Sequence, residues 1–237
     1  MDLSVIVPAY NEADIIQSSL KKIFEFLNNK PLTYEIIVVN DGSIDATADK
    51  VRELNFNNLI LLESEKNLGK GAAIKKGIQG AQGDYLLFLD ADYSTAIDNF
   101  PKFLDLLISF RADIVIASRA LPESVVKIHQ SRLKEIVGKL GNWPIRLFLV
   151  KGIKDTQCGF KLFKRSCLPL FQQQRLTGWG FDFELLFLAQ KFGYQIVEAP
   201  VIWTNRSISR VKFIDYFKTL GELLTVVFNN LTNRYQL

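Results

Sequence analysis

The stretch LLFLDADYSTAIDNFPK (residues 86–102) runs from buried-type apolar residues into two carboxylates, Asp90 and Asp92, one residue apart. Strand side chains alternate with period 2, so both carboxylates point the same way if extended geometry persists to the end of the run. Two like charges placed together call for a cation. Acid-x-acid at the end of a buried strand is a hard-oxygen site suited to Mg²⁺ or Mn²⁺, which keep water and accept diphosphate oxygens from a substrate. Taken alone, the same tripeptide also suits a solvated turn.

On either side of this run, short apolar stretches alternate with helical patterns. LSVIVPA (3–9), YEIIVVND (34–41), NLILLES (58–64), DYLLFLDAD (84–92) and ADIVIASR (112–119) are β-branched and nearly continuous in apolar character, as strands of a parallel sheet covered on both faces should be. Segments of helical length lie between them, at about 12–29, 44–55, 69–81 and 98–110; in the first, Ile15, Ile16, Leu20, Ile23, Phe24 and Leu27 recur at helical spacing. The alternation predicts an α/β fold with a Rossmann-like, mainly parallel sheet and helices on both faces. Ligands bind such sheets at the carboxyl ends of the strands, where PAYNE (8–12), NDGS (40–43) and DAD (90–92) fall. After residue 119 the expectation is a longer helical stretch over about 122–150, a loop with DTQCGFK (155–161), a helix following GWGFDFELLF (178–187) and a strand at YQIVEAPVIW (194–203). The tail from about 207 carries Phe213, Tyr216, Phe217, Leu220, Leu223, Leu224, Val227, Phe228 and Leu231 at helical spacing.

Composition excludes several classes. The 237 residues are 48% hydrophobic and 23% charged, enough to bury a substantial core, and intrinsic disorder does not fit. The net charge of +4 is scattered, which favours anionic small molecules or a membrane surface over a nucleic-acid module. The N-terminal MDLSVIVPAYNE lacks a basic start and a long apolar core, and no run of about 18 apolar residues occurs. Cys158 and Cys167 form neither a zinc motif nor a disulfide framework and suit a reducing compartment. They are expected as packed thiols, and His129, the single histidine, leaves no Ser-His-Asp or Cys-His machinery.

Two further stretches carry chemistry. In VVNDGSIDAT (38–47), Asn40 and Asp41 end a strand, Gly42 suits a tight turn and Ser43 suits a helix N-cap; Asp41 there suits either plain turn chemistry or hydrogen bonds from a nucleobase or ribose. KNLGKGAAIKKG (66–77) fails the P-loop and GxGxxG templates; it suits either a plain strand-to-helix turn or, through Lys70 and the backbone N–H groups of a helix start, an anion.

PAYNE, NDGS, KNLGKGAAI, DAD, ASRALPE, GIKDTQCGFKLF and GWGFDFELLFLAQ follow in this order across nearly the whole chain. Together they resemble a family 2 glycosyltransferase of the GT-A fold, with second-half motifs most similar to the dolichyl-phosphate and polyprenyl-phosphate β-glucosyltransferase group. The resemblance implies inverting transfer of a hexose, with UDP-glucose the expected donor, to a lipid monophosphate. It implies a nucleoside pocket at Pro8, Tyr10, Glu12 and Asp41, extended by Gly42, Ser43, Lys70 and Ala91, and Mg²⁺ or Mn²⁺ held on the donor diphosphate by Asp90 and Asp92. Arg119 and Arg132 match positions that face the acceptor phosphate. Gln157, Trp179, Asp182 and Glu184 are the implied sugar and acceptor contacts; Asp182 as a helix cap and Trp179 as core are the plain structural readings of the same residues. A phosphate monoester is already anionic near neutral pH, so no dedicated base is required, and Asp155 is expected either to hydrogen-bond a sugar hydroxyl or to assist the attack electrostatically.

The implied organisation is one GT-A domain over 1–205, with a nucleotide-binding half at 1–119, an acceptor half at 120–205 and a helical tail at 206–237. Peripheral attachment to the cytoplasmic face of a membrane is expected, through Lys127, Arg132, Lys134 and Lys139 interleaved with Ile128, Leu133, Ile136 and Leu140, or through the tail; ordinary packing of both segments is the plainer alternative. A membrane-protein partner or homo-oligomer fits this reading, and nucleic acid does not. Asn40, standing where many family 2 enzymes have a second Asp, leaves the nucleotide open. Competing readings are a hydroxyl acceptor with Asp155 or Asp182 as base, GDP-mannose as donor, and a catalytically silent nucleotide-sugar-binding protein.

Overall fold

The computed structural model describes residues 1–128, 143–204 and 213–236. Its centre is a seven-stranded sheet. Strands β1 (Leu3–Ala9), β2 (Tyr34–Asn40), β3 (Leu59–Glu63) and β4 (Tyr85–Leu89) lie in the order β3-β2-β1-β4, all parallel. Helices α1 (Ile16–Asn28), α2 (Thr47–Arg52) and α3 (Lys70–Gly80) connect them. β1 and β2 are buried almost throughout, which is why their sequences show no alternation. After α4 (Phe100–Ser109), β5 (Ile114–Ser118) does not pair with β4; β7 (Phe160–Lys164) inserts between them, antiparallel to both, and β8 (Ile196–Pro200) closes the edge beside β5.

Four sequence expectations change. The stretch 155–161 is only partly loop: Phe160 and Lys161 begin β7, a core strand. The helical stretch expected over 122–150 contains a strand instead, β6 (Val125–Ile128), whose β-branched Val125 and Val126 pair with β9 (Ile202–Thr204). Residues 143–148 are helical, and Arg132, His129, Lys134 and Lys139 lie outside the described residues. The strand expected over 194–203 splits into β8 and β9 at Val201, whose N–H turns to Ser124 Oγ at 3.2 Å. Finally, β4 stops at Leu89, so the two carboxylates sit on a turn rather than on a strand face.

One apolar cluster lies under α1 and α4, the other under α3 and the second-half helices α5 (Leu168–Gln173) and α6 (Phe181–Lys191). Helix α7 (Phe213–Leu231) joins the second cluster through Leu223 and Val226, and Tyr235 beyond it is buried there too. The described part of the tail therefore packs on the body. Among the described residues, no helix is long and apolar enough to cross a membrane.

Candidate active site

The carboxyl ends of β1, β2, β4 and β5 meet along one edge and deliver Tyr10, Asp41, Asp90 and Arg119, each the first residue after its strand. Because β7 runs the other way, its beginning lies at the same edge: Phe160 pairs with Leu89, and the loop Asp155–Gly159 hangs over Asp90. Asp90 N–H donates to Gly159 O at 3.0 Å. A Cβ on Gly159 would fall 1.9 Å from Asp90 Oδ2, so the glycine is what lets the carboxylate lie against this backbone.

Asp90 begins a tight turn closed by Tyr93 N–H on Asp90 O at 3.1 Å, with Tyr93 in the left-handed region at φ 56. Asp92 Oδ1 accepts Ser94 N–H at 2.9 Å. Asp90 Oδ1 pairs with Lys70 Nζ at 2.6 Å, and that ammonium lies 5.7 to 5.9 Å from the ring centres of Trp179, Phe181 and Phe88. Burial works to lower the Lys70 pKa, but Asp90, with Asp182 and Asp92 behind it, outweighs burial and holds it above the ordinary value.

Asp41 is buried and spends both oxygens on the loop before α3, accepting Leu68 N–H at 3.0 Å and Gly69 N–H at 2.8 Å. Gly42 has φ +67, and a Cβ there would meet the Lys66 backbone at 2.4 Å. Ser43 does not cap α2, which begins at Thr47; its Oγ accepts Asn11 N–H at 2.9 Å, tying the PAYNE and NDGS loops together. Pro8 lies within β1, Tyr10 is exposed, Ala91 is buried, and Glu12 N–H donates to Thr47 Oγ1 at 2.8 Å.

Arg119 and Asp155 form a two-pronged pair, Nε to Oδ2 at 2.7 Å and Nη2 to Oδ1 at 2.9 Å, and the Arg119 backbone N–H also donates to Oδ2 at 2.9 Å. Burial raises the Asp155 carboxyl, but the Arg119 charge and hydrogen bonds outweigh it and hold the pKa below the ordinary value. The carboxylate is a poor base and a good clamp. Arg119 lies 5.5 Å from the Trp203 ring centre, and Asp90 contributes to raising its pKa. Gln157 N–H donates to Asp155 Oδ1 at 3.3 Å.

Lys161 has no precedent in the sequence reading. It is only 1% exposed and ion-paired with Asp182, itself 3% exposed. Its Nζ also donates to Cys158 O at 2.8 Å. Asp182 therefore makes a buried ion pair rather than a helix cap, and Trp179 is 40% exposed rather than core. Glu184 turns away from this group: it accepts Leu176 N–H at 2.8 Å and Tyr235 O–H at 2.6 Å. Glu222 of α7 was likewise not anticipated. It accepts Gly180 N–H at 2.8 Å, and a Cβ on Gly178 would fall 2.3 Å from its Oε1, so the tail helix abuts the loop that carries Trp179. Cys158 and Cys167 are buried free thiols, both pushed up to about 12 by burial, hence packed and unreactive.

Among the described residues no three His, Cys, Asp or Glu side chains gather to hold a metal. Two adjoining carboxylates on one turn fit a hard cation whose remaining ligands come from water and a bound diphosphate.

A mainly parallel sheet crossed by one antiparallel strand, with its carboxyl edge built this way, is the GT-A architecture. Solved structures share the architecture. Mannosyl-3-phosphoglycerate synthase from Rubrobacter xylanophilus aligns with TM-score 0.71 and 20% identity, covering 100% of this chain and 76% of that one. Glucosyl-3-phosphoglycerate synthase from Mycobacterium tuberculosis in complex with Mn²⁺ and UDP-glucose aligns with TM-score 0.67 and 20% identity over 98% of this chain and 78% of that one. The sequence profile of Glycosyl transferase family 2 matches residues 4–169. The chain is 38% identical to a dolichyl-phosphate beta-glucosyltransferase of Trichomonas vaginalis, over 94% of this chain and 72% of the relative. It is 33% identical to the Homo sapiens enzyme of the same name, over 99% and 78%. The chain belongs to glycosyl transferase family 2 and is a glycosyltransferase.

Proposed function

We propose that this enzyme transfers glucose from UDP-glucose, with inversion, to the phosphate of a dolichyl or related polyprenyl monophosphate. The similarity to dolichyl-phosphate beta-glucosyltransferases supports the acceptor and the sugar. The observation that carries the reading is the Arg119–Asp155 clamp beside Asp90: a fixed guanidinium at the site edge and a carboxylate whose two oxygens are both engaged by it. Such a site suits an acceptor that arrives already anionic and needs orientation rather than deprotonation.

In this reading Asp90 and Asp92 hold Mg²⁺ or Mn²⁺ on the donor diphosphate, and the metal supplies Lewis-acid stabilisation of the departing nucleotide. An acceptor phosphate oxygen bonds to the anomeric carbon as the bond from that carbon to the diphosphate breaks, and UDP leaves with the electron pair. Arg119 steadies the acceptor phosphate with the N–H groups that Asp155 does not engage. Trp179 lines the sugar side, and Asp182, sealed against Lys161, supports the site from behind. Glu184, which faces the Arg175 loop, is reassigned to a structural part. Arg132 stays in the proposal as a second phosphate contact. Work at a membrane surface follows from the lipid acceptor. The apolar residues that α7 turns outward, Leu220, Leu224, Phe228 and Leu231, support peripheral contact there, as do exposed Trp143, Leu147 and Phe148.

The test is transfer of label from UDP-glucose, and separately GDP-mannose, into organic-extractable dolichyl phosphate, with Mg²⁺ or Mn²⁺ and with chelator. Metal-dependent labelling from UDP-glucose is expected. Labelling of a lipid alcohol with none of the phosphate would overturn the acceptor, and labelling from GDP-mannose alone would overturn the donor.

A further inference from the structure

We propose that Lys70 is a resident counter-cation that occupies Asp90 until a nucleotide diphosphate arrives, so that metal and nucleotide bind as one coupled event and the free metal binds poorly. The inference rests on the reading that Asp90 and Asp92 carry a divalent cation on a diphosphate.

Lys70 Nζ sits 2.6 Å from Asp90 Oδ1, and its side chain is 15% exposed against 33% for Asp90. An ammonium at that distance uses a lone pair that a metal would need, and its positive charge repels an incoming divalent ion. The lysine is held in place at its root. It is the first residue of α3, and the preceding Gly69 is fixed on both sides: its N–H donates to Asp41 Oδ2 at 2.8 Å, and a Cβ on it would fall 2.4 Å from Thr177 O. With the backbone pinned, only the flexible four-carbon stem is left to move. Phe88, Trp179 and Phe181 surround the ammonium and stabilise its charge without offering it a second formal anion.

Metal alone must therefore displace a cation that its ion pair with Asp90 holds in place. A diphosphate changes this, because it gives the ammonium a new anion within reach of the same stem and gives the metal its missing oxygen ligands. The coupling is reciprocal, with metal improving nucleotide affinity by the factor that nucleotide improves metal affinity. Sequence alone leaves Lys70 between a plain turn and an anion contact; the structure adds the partner it leaves behind.

The experiment is Mn²⁺ binding to the full chain, read from the electron paramagnetic resonance signal of the free ion, with and without UDP, for wild type, Lys70→Met and Lys70→Arg. Circular dichroism checks that each is folded. Lys70→Met should bind Mn²⁺ alone about tenfold tighter than wild type, with the gain on adding UDP reduced about tenfold. Lys70→Arg keeps the positive charge and should bind Mn²⁺ alone no tighter than wild type. Unchanged or weaker Mn²⁺ binding by Lys70→Met overturns the inference, as does tighter binding by Lys70→Arg. If wild type binds no Mn²⁺ even with saturating UDP, the metal reading itself fails, and the inference with it.

Discussion

Two lysine–aspartate pairs reach the same ring. Lys161 Nζ lies 5.1 Å and Lys70 Nζ 5.9 Å from the centre of Phe88. The first pair, with Asp182, is sealed; the second, with Asp90, is open on the carboxylate side. Burial decides what the same chemistry can do. A sealed pair has no other partner to take and works as a fixed support, whereas an open pair is free to exchange. The sharpest way to break this contrast is Lys161→Met, which leaves the Asp182 charge buried and unpaired. It should cost about 3–5 kcal/mol of unfolding free energy, measured by urea denaturation. The double change Lys161→Met with Asp182→Leu should recover most of that loss while transfer stays impaired, since the charged support behind Lys70 and Asp90 is gone. A single substitution costing less than about 1 kcal/mol would remove the distinction between the pairs.

Arg119–Asp155 stands between these extremes, with an Arg119 side chain 33% exposed over an Asp155 side chain that is 8% exposed. Arg119→Ala should cost about 1–3 kcal/mol in stability and lower kcat/KM for the lipid phosphate about 10²-fold, both more than for Arg119→Lys. The pair also fixes a pH dependence. Asp155 is held below its ordinary value, chiefly by Arg119 against the opposing effect of burial. Its stabilisation is therefore present above about pH 4 and lost as pH falls through the lower folded value. Wild type should lose stability in this acid range with a component that Arg119→Ala lacks, and parallel curves for the two proteins would show that the pair contributes nothing there.

The first half was legible because its signals are local. The apolar runs that became β1 to β5 identify themselves, and all but β3 are followed directly by a site residue. Even there the geometry of Asp90 and Asp92 was not, since β4 ends one residue before Asp90 and the turn, with Tyr93 at positive φ, replaces period-2 alternation. The second half depends on pairings distant in sequence. Lys161 reads as a surface residue until Asp182, 21 positions on, is known to meet it, and a strand carrying two lysines, FKLFK, does not look like the core of a sheet. Glu184 followed the motif into the sugar site on paper, but successive residues on α6 face different directions, and its carboxylate turns to Tyr235. Glu222 had no motif at all. Gly178 and Gly180 were the available signal for Glu222, as Gly159 was for Asp90, each a place where that carboxylate comes too close for a Cβ.

The smallest effect on stability is expected where α7 turns away from the body. Its inner side buries Leu223, Val226 and Asn229, while Leu220, Leu224, Phe228 and Leu231 are exposed. Removing apolar surface that nothing covers should leave the fold nearly unchanged, so Leu224→Gln with Phe228→Gln should shift unfolding by no more than about 0.5 kcal/mol. Transfer to a short, water-soluble polyprenyl phosphate should also hold, because neither side chain belongs to the proposed site. If this side meets lipid, flotation with vesicles and transfer to a bilayer-embedded acceptor should both fall, the loss tracking apolar area removed from the interface. Vesicle binding that survives the double substitution would take α7 out of membrane contact and leave its outward apolar residues to a different partner. A loss of transfer to the soluble acceptor would instead mean that α7 acts on the chemistry through Glu222 and the Gly178–Gly180 loop, making it part of the site rather than its attachment.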